Sequence, residues 1–418
     1  MTMYTLFLRV QRPSFSNMDT LDEQQQSSND QFPEEIIEQI LTRLPVESIL
    51  RFKSVSKPWL SLISNPSFTN LQLTQATLAH RSSLFISIYD TLTRKLYFLS
   101  AAHEGGHVTH LFKPFDQIMI TCEETTELEH LNGLVLFSSG NGYNKHMSFA
   151  YVINPSTRKI YKLPHPPSEL VRSSYSYYLF GFDESRNEHK ILHIKMFRSI
   201  LSNKPYKHAK VEVMIFSMSN VSWRKINVDL PCDMVIDWNI GSKHSVCVNS
   251  VIHLVLQNRN EILSFDLRTE KFLLINLPVE CVAYTVYERY HDKGLNTIIS
   301  SKPFLMKING FLGFICHKTR NEIDVWILKD YENRVWVREK VSFKKSWFVL
   351  DGPFMLNRFI RNDKRVPTNT INVPMYDVER RRIKSANFAL GYQFPYPKTL
   401  RFDHVKSYTE SVLPIPKN

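Results

Sequence analysis

The chain is 418 residues long, with 43% hydrophobic and 22% charged residues and a formal net charge of +12. That balance is ordinary for a folded globular chain and excludes a wholly disordered chain or a coiled-coil rod. No run of 18 apolar residues occurs, so no transmembrane helix is expected. Only 12 glycines stand against 27 Phe, 18 Tyr and 6 Trp, a bias toward β structure, where large side chains fit a pleated surface. The five cysteines, Cys122, Cys232, Cys247, Cys281 and Cys316, are scattered and never form a CxxC pair. Reduced, buried thiols in a cytoplasmic or nuclear chain are the expectation, with no zinc framework.

The opening segment, Met1 to Arg12, is apolar only briefly and is broken by Arg9, with no small-residue cleavage site after it. A secretory signal is therefore not expected, and Met18 is a plausible alternative start. Residues 13–31 are rich in Ser, Gln, Asn and Asp, which predicts a disordered leader over 1–31.

Helical spacing begins after it. Ile36, Ile37, Ile40, Leu41 and Leu44 recur at the period of one helix face. Pro33 suits the first turn, Glu34 and Glu35 complement the positive end of the helix dipole, and Pro45 ends the helix. A second helix is expected over Val46 to Val55, a third capped by Ser56 and carrying Trp59, and a fourth opened by Asn65-Pro66. A unit of about 44 residues buries little surface and needs a neighbour for stability.

From Leu84 onward the apolar pattern alternates with period two. A strand, a polar turn and a second strand recur, with turn residues Asp90, Asn154, Ser217, Asp266, Asp330 and Asp377 at intervals of 47 to 64 residues. Asn, Ser or Asp at such a place bonds the backbone two residues on and favours the turn. The aromatic residues that follow, Tyr97, Tyr161, Trp223, Phe272 and Trp336, are expected in the core. Repeats of four strands at this period are the mark of a β-propeller, here with six to seven blades. The expected class is thus α+β and multidomain, a small all-α unit followed by an all-β propeller-like domain.

Two sets of residues carry a family resemblance. The segment 32–68 resembles the F-box, with Phe32-Pro33, Ile40-Leu41, Leu44-Pro45, Arg51-Phe52, Val55-Ser56 and Trp59 at the family's positions. Phe32 stands where the family usually has Leu. The segments HLNGLVLF (130–137), INPSTRKIYKLP (153–164), GFDESRNEHKIL (181–192), EILSFDLRTEKFLLINLP (261–278) and SYTESVLP (407–414) resemble the F-box-associated β-propeller domain of plant F-box proteins. The resemblance implies an F-box over 32–76, a linker over 77–83 and a propeller over 84–415. It further implies a substrate-recognition subunit of an SCF-type ubiquitin ligase, without catalysis or cofactor of its own. The F-box would dock on a Skp-type adaptor, and through it on cullin and RING subunits, while the propeller recruits a protein target for degradation. Phe32, Pro33, Ile36, Leu44, Pro45, Val46 and Leu50 are the expected adaptor contacts. Ile37, Ile40, Leu41 and Trp59 are expected to pack internally. A scaffold that binds the adaptor without degrading a target is the main alternative.

The charge is uneven. Residues 357–418 hold 12 basic and 5 acidic side chains. Basic stretches at 197–210 and 357–366 would favour an acidic or phosphorylated target. Neither nucleic acid nor a membrane is an expected partner. The Arg380-Arg381-Arg382 run is expected at a solvated hairpin tip. One string, His103-Glu104-Gly105-Gly106-His107, satisfies H-E-x-x-H. That zinc motif needs a helix, which two glycines oppose, and a Gly-Gly hairpin turn is expected with no metal bound.

Overall fold

The computed structural model describes residues 33–113, 126–139, 148–167, 174–197, 210–227, 245–256, 261–282, 289–292, 295–298, 304–319, 322–342, 350–351, 354–356, 370–377, 382–390, 394 and 400–416. The expected leader, Phe32, most of the two basic stretches and Arg380-Arg381 lie outside them.

Four helices open the described chain: α1 (Glu34–Thr42), α2 (Val46–Phe52), α3 (Lys57–Ser64) and α4 (Pro66–Leu78). Each has a local cause. Pro33 and Pro45 stand just ahead of α1 and α2 with extended ψ of 142° and 147°, so each proline precedes the first turn rather than sitting inside it. Ser56 caps α3 by accepting from the Trp59 N–H at 3.4 Å, and Asn65 caps α4 by accepting from the Ser67 N–H at 2.9 Å. The second helix ends at Phe52, short of Val55, because the chain tightens there: Ser54 and Val55 donate to carbonyls three residues back. Leu41, Val46, Ile49, Ile63 and Phe68 form the helical core, joined by Val412 from the far end of the chain.

The remainder is almost all strand, with one short helix at Val279–Val282. The first sheet joins β1 (Ser82–Asp90), β2 (Lys95–Ala101) and β4 (Thr109–His110) to the last strand, β27 (Leu400–Thr409). The second runs β5 (Thr126–Leu131), β6 (Leu134–Ser139), β7 (Ala150–Asn154), β8 (Lys159–Lys162). The third runs β9 (Ser174–Asp183), β10 (Glu188–Phe197), β11 (Lys210–Ser217), β12 (Ser222–Ile226). The fourth holds β13 (Ser245–Val248), β14 (Val251–Leu256), β15 (Glu261–Asp266), β16 (Lys271–Asn276). A separate hairpin, β17 (Arg289–Asp292) and β18 (Leu295–Ile298), precedes the fifth four-stranded sheet of β19 (Phe304–Ile308), β20 (Phe311–Thr319), β21 (Glu322–Asp330) and β22 (Val335–Ser342). A five-stranded sheet takes β23 (Leu350–Asp351), β24 (Phe354–Leu356), β25 (Thr370–Asp377), β26 (Arg382–Ala389) and, in parallel, β3 (Gly106–His107).

The described residues therefore form a β-propeller with five regular four-stranded blades, not the six to seven expected. The hairpin signature marks a turn, and a turn is not a blade. Its last copy, at Asp377, lies in the five-stranded sheet, and its first, at Asp90, joins the two middle strands of its sheet rather than an edge pair. The ring is closed by pairing β1 with β27, so the two ends of the β domain share one sheet. Apolar cores lie between successive sheets: Phe137 and Phe98 between the first and second, Phe216 and Leu136 between the second and third, Phe265 and Ile215 between the third and fourth, Phe314 and Ile275 between the fourth and fifth. Tyr97, Tyr161, Trp223, Phe272 and Trp336 all pack in or against these cores.

Four of the recurring turns share one construction, whereas at Ser217 the side chain accepts the Asn220 N–H, three residues on, at 3.2 Å. The leading side chain accepts a backbone N–H two residues on: Leu92 to Asp90 at 3.0 Å, Ser156 to Asn154 at 3.0 Å, Arg268 to Asp266 at 2.8 Å, Glu332 to Asp330 at 3.0 Å. The residue four after it is left-handed, with φ of 56° at Arg94, 53° at Arg158, 51° at Val221, 56° at Glu270 and 57° at Arg334. A second kind of turn, with two left-handed residues, joins the first two strands of three blades at Asn132-Gly133, Asn249-Ser250 and Asn309-Gly310.

Candidate functional site

The candidate surface is the outer side of the helical unit, and its helices set which side chains reach it. The α1 face that turns away from the core presents Ile36, which is 43% exposed, with Pro33 exposed beside it. Pro45 is exposed at the start of α2, while Leu44 and Leu50 are half-buried and lean against the helical core. Val46 is different. It is 2% exposed and packs with Leu41, Ile49, Ile63 and Phe68. The register of α2 is the cause: Val46 and Ile49 share its inner face, three residues apart. Of the residues expected inside, Leu41 is buried, and Ile37 and Trp59 pack against the same core. Val55, between α2 and α3, and Leu60, on α3, are also exposed apolar residues.

This surface is held from behind. The Arg81 guanidinium, just ahead of β1, donates to the carbonyls of Thr42, Arg43 and Leu44 at 3.1, 3.0 and 2.6 Å. It thereby satisfies the last carbonyls of α1, which have no partner within the helix. The α1–α2 corner, where Leu44 and Pro45 lie, is thus fixed by a residue of the connection to the β domain. Glu47 and Arg51 pair across one exposed turn of α2 at 2.6 Å, a contact of little energetic consequence.

The H-E-x-x-H string is not helical. Gly105 and Gly106 have φ of 95° and 107°, and His107 belongs to β3, paired parallel to β26. A Cβ on Gly105 would lie 2.5 Å from the Asn387 carbonyl, so glycine is required by both conformation and space. His103 Nε2 lies 3.0 Å from Ser82 Oγ and 3.3 Å from Ser407 Oγ, tying the turn to the two strands that close the ring. Among the described residues, no group of three or more His, Cys, Asp or Glu stands as a metal site.

Several titratable groups lie buried inside the blades. Burial lowers His189 to about 4, His193 to about 3 and His253 to about 4, so all three are neutral in the folded chain. Burial pushes the Cys247 thiol up to about 11, which leaves it protonated and unreactive. Lys190 and Asp183 form a buried ion pair at 2.7 Å.

Comparison with known proteins adds what geometry alone does not. The family described as the F-box associated beta propeller domain matches residues 82–392, which is most of the chain. The chain belongs to this family. The F-box domain matches residues 30–71, over the first three helices and the start of the fourth. F-box protein CPR1 of Arabidopsis thaliana is 24% identical, over 84% of this chain and 83% of its own length. Two further Arabidopsis proteins, F-box protein At1g30790 and F-box protein At4g22390, are 25% and 23% identical, over 76% and 73% of this chain and 76% and 72% of their own lengths. The helical unit is therefore an F-box, and the strands after it are the family's propeller. No helix among the described residues is long and apolar enough to cross a membrane.

Sequence reasoning missed two polar residues that matter here. Gln72, between Leu71 and Leu73, is buried on the side of α4 shared with Phe68 and Ala76. Its spacing of four from each was the available signal. Asn154 was read as a turn residue alone, and its side-chain amide has a second use described below.

Proposed function

We propose that this F-box protein is the target-recognition subunit of an SCF-type ubiquitin ligase. The F-box, within domain limits of 32–76, docks on a Skp-type adaptor through Pro33, Ile36, Leu44, Pro45 and Leu50, with Phe32 completing the set. The adaptor brings cullin and RING subunits, and the propeller, within 84–415, holds a protein target whose lysines receive ubiquitin. The chain performs no covalent chemistry; it raises the effective concentration of target lysines beside the charged conjugating enzyme. A cytoplasmic or nuclear setting fits this role.

The observation that supports the reading is a set of exposed apolar side chains on a family-matched F-box whose inner face is already filled. Apolar groups at Ile36, Val55 and Leu60 gain nothing in water, and burying them against a partner recovers about 25 cal/mol for each Å² removed from water. The test is capture of a purified Skp-type adaptor and cullin by the full chain, beside a variant with Pro33, Leu44 and Pro45 changed to Ala. The reading expects capture by the intact chain and loss in the variant. Absence of capture by a folded intact chain would refute it.

A further inference from the structure

Beyond β27 the chain runs extended between the F-box and the propeller, and it is held on both sides. Glu410 donates its N–H to the Arg81 carbonyl at 3.2 Å, and its own carbonyl accepts from Gln72 Nε2 at 3.4 Å. Val412 donates its N–H to Gln72 Oε1 at 3.2 Å and buries its side chain in the F-box core. The residues between face the other way. Ser411 donates its N–H to Ser156 Oγ at 3.0 Å, and its carbonyl accepts from Asn154 Nδ2 at 3.1 Å. The Leu413 carbonyl accepts from the same nitrogen at 2.8 Å, and Ile415 is buried in the core between the second and third sheets. Even-numbered residues serve the F-box and odd-numbered ones serve the propeller, which is the two-residue alternation of an extended chain.

The two side chains that grip this segment are specialised for it. Gln72 is 0% exposed and spends both ends of its amide on the segment's backbone. Asn154, also 0% exposed, closes its turn with Oδ1, which accepts from Ser156 and Thr157, and grips the segment with Nδ2. The same turn is closed by aspartate at 90, 266 and 330. Aspartate has no N–H to donate, so the amide at 154 is explained by the segment and not by the turn. Gly133 supplies the space: a Cβ there would stand 2.2 Å from the Ser411 Cβ.

We propose that Glu410–Leu413 is the joint that fixes the F-box on the propeller, and that Gln72 and Asn154 are positioning residues for ubiquitin transfer. The functional half of this inference rests on the ligase reading above. A receptor of that kind works by geometry. With the joint intact, a target on the propeller faces the ligase at one distance and angle, and with it loosened the same target samples many.

The joint is tested on the full chain without any partner. Spin labels carried by a bio-orthogonal amino acid at Ser61 on α3 and Lys271 on β16 report the F-box–propeller distance by pulsed electron resonance. The intact chain should give one narrow distribution. Asn154→Asp, which keeps the turn acceptor and loses the donor, and Gln72→Met, which removes both bonds, should each broaden it at least twofold. An unchanged width in both variants overturns the proposal. So does collapse of the whole β fold in Asn154→Asp, because that would make the segment part of the propeller core rather than a joint. A second readout concerns transfer. In a reconstituted ligase, ubiquitin placed on the propeller's own lysines should fall on a few sites in the intact chain and spread over more in the variants. A narrow-to-broad distance change with no ligation by any of the three chains would retain the joint and count against the ligase reading. The same sites in all three chains, with ligation proceeding, would overturn the positioning role.

Discussion

The F-box and the propeller meet the same problem, too little core per unit, in opposite ways. Successive blades among the described residues bury their faces against one another in shared cores, and the ring closes by pairing β1 with β27. The F-box has four short helices around a handful of buried residues, and one of those residues, Val412, is supplied by the end of the propeller. A repeat domain draws stability from its own repetition, whereas a small helical unit borrows it. The segment that brings Val412 is bonded to both partners.

The largest effect that should separate the two regions is acid. His189, His193 and His253 lie in the propeller, folded with values near 4, 3 and 4, while the unfolded chain takes up protons near the ordinary 6.5. Folding therefore disfavours the protonated form. Stability from these residues is complete above pH 6.5 and is lost as pH falls from there toward 4, by about 1.4 kcal/mol for each unit of displacement. Urea midpoints between pH 7 and 4.5 should fall for the strand signal. A midpoint independent of pH over that range would contradict the burial of these rings.

Lys190→Met comes next. It leaves the Asp183 carboxylate buried without its partner and should cost about 3–5 kcal/mol, read as a lowered urea midpoint for the propeller. Val412→Ala sharpens the comparison from the other side. It should cost about 2 kcal/mol, and amide exchange should show the loss in α1 to α4, more than 330 residues away in sequence, rather than in the blades. Equal loosening of helices and strands would mean that the two regions are one cooperative core. Val221→Asn is the smallest change and goes the other way. Val221 is a β-branched residue held at φ 51° on an exposed turn, and asparagine tolerates that conformation. Thermal unfolding should show a gain of about 1 kcal/mol.

Most of the helical unit was legible because its signals are local. A proline or a capping Ser or Asn stands at the start of each helix, and the apolar residues repeat at the helical period. The alternation after Leu84 and the Asx-led turns were legible for the same reason. The blade count was not, since one turn chemistry serves hairpins at different places in different sheets. The left-handed pairs at Asn132-Gly133 and Asn309-Gly310 carried a readable hairpin signal in the Asn-Gly step, whereas Asn249-Ser250 did not. Ser250 holds that conformation while its Oγ accepts from the Glu184 N–H at 2.9 Å, a contact between blades that no local pattern announces. That Val46 is buried was not legible, because an apolar residue after a proline looks the same from either side of a helix. Gln72, Asn154 and Val412 meet only in the folded chain.

The central claim, that this F-box protein offers an open apolar face to an adaptor, is tested most directly by calorimetric titration of a purified Skp-type adaptor into the full chain and into Ile36→Glu. Ile36 lies on the outer face, so the variant should keep its helical signal and its urea midpoint. The account predicts saturable binding by the intact chain and affinity weakened at least tenfold in the variant. Undiminished affinity in Ile36→Glu, or no binding by a folded intact chain, would contradict it.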